Sequence, residues 1–292
     1  MNKKVILAQL SLIAITMIWG ITFVMVKDAL NDAPPFIFAT LRFGLAFIIG
    51  FLYLNYKIKT INTKEILGGI LCGFLLFFGY GFQNFGLMLT TPSKSAFITS
   101  VSVIFVPILL VLLRLQKVSN KIWLIVLLAT LGLYILLNPM GGGINLGDIL
   151  TFGCALSFAF HIIYQDIYVN QEIDVIRFFT VQVFFVFLFS LLSSLIFEDY
   201  TTIVISQRLV VAISVTGILA TFIAIILMIW AQTILSATET AIFLSLEPVF
   251  AALVSVFFAG EILGIYGWTG GILIVLSVMS SSFVLPKSNK KT

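Results

Sequence analysis

The sequence predicts an all-α polytopic membrane protein, ten transmembrane helices arranged as two inverted five-helix repeats, and three observations predict it. Of its 292 residues, 61% are hydrophobic and 10% charged, with a mean hydropathy of +1.18, whereas soluble globular domains are only about half apolar. The apolar residues gather in about ten runs of roughly 18 to 26, each able to cross a hydrocarbon core that takes about 20 helical residues, and the period-2 alternation of a membrane barrel is missing. The third observation is an internal match at an offset of 145: "TTPSKSAF" (90–97) lies over "LSATETAI" (235–242), and Trp123 over Trp268. A looser match at 139 lays "WGITFVMVK" (19–27) over "FAFHIIYQD" (158–166).

The elements follow in order. The run 5–27 starts behind Lys3 and Lys4 as a signal peptide would, but its apolar core is too long and no A-x-A site follows, so it reads as a retained first helix. The second, 35–55, carries Arg42; the third, 65–90, contains "GYGFQNFG"; the fourth, 95–114, lies between Lys94 and Arg114; the fifth, 122–138, follows Lys117 and Lys121. The second set is 147–166 with His161, 176–197 with "FFVFLF", 208–234, 238–258 with "LSLEPVF", and 266–285. The halves are 1–140 and 141–292. Five is odd, so the second half enters the membrane in the opposite sense, an arrangement that places a solute site between the halves and permits alternating access by rocking.

The basic residues report topology. With the N-terminus cytoplasmic, Lys3, Lys4, Lys57, Lys59, Lys64, Arg114, Lys117, Lys121, Arg177, Lys287, Lys290 and Lys291 fall inside, and Lys27, Lys94 and Arg208 outside. That bias predicts a multi-pass plasma-membrane protein with both termini cytoplasmic. The cations stand singly at helix ends rather than in a stripe, so the net charge of +4 does not indicate nucleic acid. The longest connections, 55–64 and 167–175, are too short to fold alone, and function therefore has to lie within the membrane.

Ionisable groups at the bilayer centre cost about 2.5 to 3.5 kcal/mol on insertion scales, so each needs a partner, a wet cavity or a role. Arg42 lies about 10 Å along its helix from Pro35 at 1.5 Å per residue; it either snorkels or pairs with a carboxylate, or else binds an anionic group. His161, the only histidine, is either a neutral hydrogen-bonding group or a site for solute contact or proton coupling. Gln83, Asn84 and Gln232 either cross-link helices or line a cavity. Trp19 lies mid-span, away from the interfacial belt where tryptophan gathers, which suggests a cavity or a helix crossing beside Gly20. Pro248 cannot donate to the carbonyl of Leu244, which predicts a kink; Glu247 beside it either satisfies helix ends or serves as a gate or proton-linked carboxylate.

Absences narrow the function. No G-x-x-x-x-G-K-[ST] occurs, and "PMGGGINLGD" (139–148) lacks the lysine that would cradle phosphates. Neither G-x-S-x-G nor H-E-x-x-H is present, and one histidine leaves little for hydrolysis, so an enzyme is not expected. Cys72 and Cys154 both fall within spans without metal-ligand spacing, and no metal, disulfide or other cofactor is expected.

Across nearly its whole length the chain resembles the EamA-type drug/metabolite transporter superfamily. The resemblance rests on "IWGITFVMVK" (18–27), "FATLRFGLAF" (38–47), "GLMLTTPSKSAFIT" (86–99), "GDILTFGCALSFAFHIIYQD" (147–166) and above all "AQTILSATETAIFLSLEPVFAALVSVFFAGE" (231–261). The first half departs from that last pattern, with "VSVIFVPILL" lacking a Glu before Pro107 and "QKVSN" in place of G-E. The resemblance implies a ten-helix secondary carrier with a central cavity between its halves, exporting amino acids or other small metabolites. It puts Trp19, Arg42, Gln83, His161, Gln232 and Glu247 on matching motif positions; Trp19, Gln83, Asn84, His161 and Gln232 are expected to line the cavity, Arg42 to attract or orient an anionic group there, and Glu247 and Pro248 to support a gating kink. Expected partners are a small-molecule substrate and the lipid bilayer, with protons a candidate coupling ion, and the carrier a monomer or homodimer. The rival expectation is a non-transporting membrane protein, a sensor or assembly partner, whose polar residues only hold helices together.

Overall fold

A computed structural model describes residues 3–57, 61–137, 144–259 and 264–284. Gly260 and Glu261 of the resemblance motif, the loop glycines 141–143, and Lys59, Lys287, Lys290 and Lys291 lie outside the described residues. The chain forms α1 (Lys3–Ala29), α2 (Pro35–Lys57), α3 (Thr63–Leu89), α4 (Pro92–Thr99), α5 (Ser102–Leu112), α6 (Asn120–Leu137), α7 (Leu146–Val169), α8 (Val175–Phe197), α9 (Gln207–Val215), α10 (Ala224–Gln232), α11 (Ala237–Leu244), α12 (Glu247–Ala259) and α13 (Ile265–Val284). A π-helical segment, Thr216–Ile223, joins α9 to α10. Eight stretches have the length and apolarity to cross a membrane, and Asn120–Ile135 and Ile265–Ser281 are shorter apolar helices. These are the ten runs read from the sequence, and among the described residues there is no strand.

The helix starts are encoded locally. Asn62 with Glu65, Asn145 with Asp148, and Ser236 with Glu239 form capping boxes that satisfy otherwise orphaned N–H groups reciprocally. Asp174 and Ser206 cap α8 and α9 through their side chains, and Thr91 caps α4 with Pro92 in the first turn. Each such cap contributes about 1 kcal/mol. Thr91 and Ser236 are 145 residues apart, the offset of the internal match.

The fourth span of each half is not one helix but two. In the first half the chain turns at Ser100 and Val101 between α4 and α5; in the second it turns at Ser245 and Leu246 between α11 and α12, again 145 residues on. At each break a serine hydroxyl returns to the preceding turn, Ser100 Oγ to the Ala96 carbonyl at 3.1 Å and Ser245 Oγ to the Ile242 carbonyl at 2.6 Å. Such hydroxyls compete with the helical ladder. The kink expected from Pro248 is therefore a complete break lying ahead of it. Pro248 sits in the first turn of α12, where a missing N–H has no intrahelical acceptor to lose. Proline is not what breaks the first-half span either: Val103 occupies the position equivalent to Pro248, while Pro107 is inside α5.

Small residues let the helices close on this centre. Gly86 on α3 and Gly147 on α7 meet backbone to backbone: a Cβ on Gly86 would lie 2.9 Å from the Gly147 carbonyl, and one on Gly147 would lie 2.8 Å from the Gly86 carbonyl. A Cβ on Gly20 would stand 3.0 Å from the Glu247 carbonyl and 2.9 Å from the Ala251 nitrogen, so α1 crosses α12 at the break itself. In lipid, where apolar burial gives helices no preference for one another, such close approach is what holds them.

Candidate functional site

Where α1, α2, α3, α7 and α10 converge on the two breaks they line a shared cavity, placed between the helices of a bundle as small-molecule sites commonly are. Its polar lining includes Trp19, Arg42, Gln83, His161 and Glu247. Helical spacing and the breaks explain why these side chains meet: Trp19 is midway along α1, Arg42 two turns into α2, His161 mid-α7, and Glu247 the first residue of α12. Ser102, the first residue of α5 and the positional counterpart of Glu247, lines the same cavity. Both half-helices thus begin at the cavity wall, where the positive end of the helix dipole favours negative charge.

Arg42 is 3% exposed. Its Nε donates to Thr221 Oγ1 at 2.8 Å, and its guanidinium stands 4.5 Å from the Tyr80 ring centroid and 5.2 Å from that of Phe43, a cation–π setting. Glu247 is 6% exposed. Among the described residues neither has an ion-pair partner. A basic and an acidic side chain therefore line one cavity without an ion pair between them, and a charge on either would be costly there unless something else completed it.

The other expected residues have distinct surroundings. Trp19 Nε1 donates to the Ala220 carbonyl at 2.8 Å, so its ring, not its N–H, is offered to the cavity. Ala220 and Thr221 both belong to the π segment, which is stapled to the first half by Trp19 and Arg42 together. Gln83 Nε2 reaches Thr99 Oγ1 at 3.5 Å. Two expected residues are not brought to the lining. Asn84 is buried with its Nδ2 donating to the Pro35 carbonyl at 3.2 Å, tying α3 to the start of α2. Gln232 is buried at the end of α10 and donates to the Ile162 carbonyl at 3.0 Å. Sequence reasoning missed Thr22, Tyr80, Thr99, Ser102 and Phe158 in the lining; the pairing of "TSVS" (99–102) with "LSLE" (244–247) at offset 145 is the signal that could have found Ser102.

Beyond the cavity, ion pairs connect the halves at both ends of the bundle. At the end holding the α1–α2 turn, Lys94 Nζ meets Asp148 Oδ2 at 2.6 Å, Asp32 pairs with Arg208, and Glu198 accepts from the N–H groups of Phe36 and Ile37 at 2.8 Å each. At that end Lys27 also donates to the carbonyls of Leu87, Met88 and Thr90, within the first half. Lys27, Lys94 and Arg208, the cations expected outside, thus all sit at this end with partners. At the other end Arg177 pairs with Glu65 at 2.9 Å.

Asp32 lies outside the spans, and the hydrogen bonds from Arg208 and Ser206 lower its pKa to about 2. Because the folded value lies below the free value of about 3.9, the clasp stabilises the fold fully above about pH 4 and loses its contribution as pH falls towards 2. Wild type is accordingly expected to melt above Asp32→Asn at pH 7 in detergent, with the difference gone near pH 2.

The comparisons with known proteins agree with this architecture. The model of the EamA-like transporter family matches residues 6–138 and again 145–283. A protein of Archaeoglobus fulgidus described as an uncharacterized transporter is 35% identical over 282 residues, covering 94% of this chain and 86% of its own. The uncharacterized transporter YoaV of Bacillus subtilis is 23% identical over 290 residues, covering 96% and 98%. A crystal structure with a TM-score of 0.78 shares the fold over 95% of this chain and 96% of its own at 15% identity.

Proposed function

The chain belongs to the EamA-like transporter family, and on that premise we propose that it is a secondary carrier that moves small metabolites, amino acids or related solutes, out of the cell across the plasma membrane. It is a membrane transporter by family; the solute class and direction are the proposal. One observation carries it: Arg42 and Glu247, buried and unpaired with each other, line one cavity between the halves. A solute with a carboxylate and an ammonium group would give both side chains a partner, with Arg42 orienting the carboxylate and the ring of Trp19 and the amide of Gln83 forming walls. Rocking of residues 1–140 against 141–292 would then open the cavity to each side in turn, with Glu247 and Pro248 at the break on which one gate moves.

Purified protein in vesicles loaded with a metabolite panel, with and without a pH gradient, tests this. Amino-acid flux well above empty vesicles is expected, and a panel in which nothing moves would sink the reading. Flux indifferent to the gradient would remove protons as coupling ion. Orientation has its own test. Native Cys72 and Cys154 are buried, so an impermeant thiol reagent is expected to label Thr201→Cys only from outside intact cells and Lys64→Cys only in inverted membranes; the reverse would overturn the cytoplasmic placement of the termini.

A further inference from the structure

His161 lines the cavity, and through Nε2 it opens a buried chain of amides that the carrier reading leaves unused. Nε2 lies 3.2 Å from Gln182 Oε1. Gln182 Nε2 reaches Gln165 Oε1 at 3.5 Å, Gln165 Nε2 donates to Gln232 Oε1 at 2.6 Å, and Gln232 Nε2 donates to the Ile162 carbonyl at 3.0 Å. All three glutamines are fully buried, on α7, α8 and α10.

The chain ends on a group that cannot reverse. A backbone carbonyl only accepts, so Gln232 must present its NH₂ to Ile162 and its oxygen to Gln165. Gln165 must then give its NH₂ and present its oxygen to Gln182, which in turn gives its NH₂ and presents its oxygen to His161. Flipping the amides together would set two oxygens 3.0 Å apart at Ile162 with no proton between them. In a neutral imidazole the bond made by one ring nitrogen fixes the state of the other. Nε2 must carry the proton, and Nδ1 must hold a bare lone pair. Among the described residues Nδ1 has no partner, and His161 is one of the residues that line the cavity.

We propose that the Gln182–Gln165–Gln232 relay fixes His161 as the Nε2–H tautomer, making Nδ1 a permanent hydrogen-bond acceptor in the cavity that selects solutes carrying an N–H or O–H donor at that place. The choice of ligand rests on the carrier reading; the tautomer does not. This chain has one histidine, so ¹⁵N-histidine labelling gives a single imidazole to observe. In nanodiscs, at a pH where the ring is neutral, the expected result is one tautomer with Nε2 protonated and Nδ1 imine-like. Gln182→Leu is expected to convert it to a mixture. L-leucine is expected to shift the Nδ1 resonance, and 4-methyl-2-oxopentanoate, which replaces the donor by a carbonyl, to do so at least about tenfold more weakly. A wild-type ring protonated at Nδ1 overturns the inference, as does an equal response to both solutes or a silent Nδ1. If vesicles move leucine while Nδ1 stays silent, the inference fails and the carrier reading stands. If Nδ1 responds and vesicles move nothing, the carrier reading fails alone.

Discussion

Arg42→Gln and Glu247→Gln are each expected to cut amino-acid flux by about 10- to 100-fold, since hydrogen bonds to charged groups are worth about 1.5–3 kcal/mol and about 1.4 kcal/mol is tenfold. The informative variant is the double one. Had the two side chains served only to neutralise each other, removing one would strand a buried charge, and removing both would relieve it. Here they are not paired. The double neutral variant is therefore expected to transport no better than the worse single, with melting temperature as the control for folding. Flux restored in the double variant would mean that the charges form a structural pair in some other state of the carrier, and Arg42 would lose its assignment to the solute.

Gly147→Ala is the second large effect, this time on the fold. The added methyl would stand 2.8 Å from the Gly86 carbonyl, 2.8 Å from the Leu89 Cβ and 3.0 Å from the Leu89 carbonyl carbon. Two of these are backbone atoms that no rotamer change can withdraw, so α7 has to retreat from α3. Overpacking of this kind costs roughly 1–3 kcal/mol. It would also disturb the Lys94–Asp148 pair, because Asp148 is the next residue. Gly81→Ala on the same α3 is the matched control: its methyl would meet only the Phe36 ring at 3.6 Å, an ordinary contact. A clear drop in melting temperature is expected for the first and almost none for the second. Equal melting would show that the α3–α7 crossing does not depend on backbone contact at this point.

Much of this was readable before any coordinates. The ten apolar runs, their order and the recurrence at offset 145 follow from hydropathy and from a few polar residues at helix corners, because in lipid the helix is the form that satisfies its own backbone. Arg42, His161 and Glu247 stood out for a related reason, since each costs free energy where it lies. The harder part was partner choice. Asn84 follows Gln83 directly in the chain, yet one amide reaches Thr99 at the cavity and the other the Pro35 carbonyl, because neighbours on a helix point about 100° apart. Gln165 and Gln182 looked unremarkable until three helices brought them beside Gln232 and His161. The break at Ser100 and Val101 was hidden because proline drew attention to Pro107 and Pro248, while the serines that return to the preceding turn carry no comparable signal.

The π segment between α9 and α10 has a consequence for how this span addresses its surroundings. A π turn takes in an extra residue, so the chain entering Thr216 and the chain leaving Ile223 are out of phase by about one residue, or about 100° of helical rotation. Leu209 and Ala212, ahead of it, bury in the cluster around Phe23 and Phe38. Ala224 and Met228, behind it, join Leu12 and Ile15, while Ile225 and Ile229 join Phe43 and Phe179. One membrane crossing thus serves one neighbourhood ahead of the π segment and two others behind it. The surplus residue is a splice, and its place is marked by two side chains from the first half, Trp19 on the Ala220 carbonyl and Arg42 on the Thr221 hydroxyl.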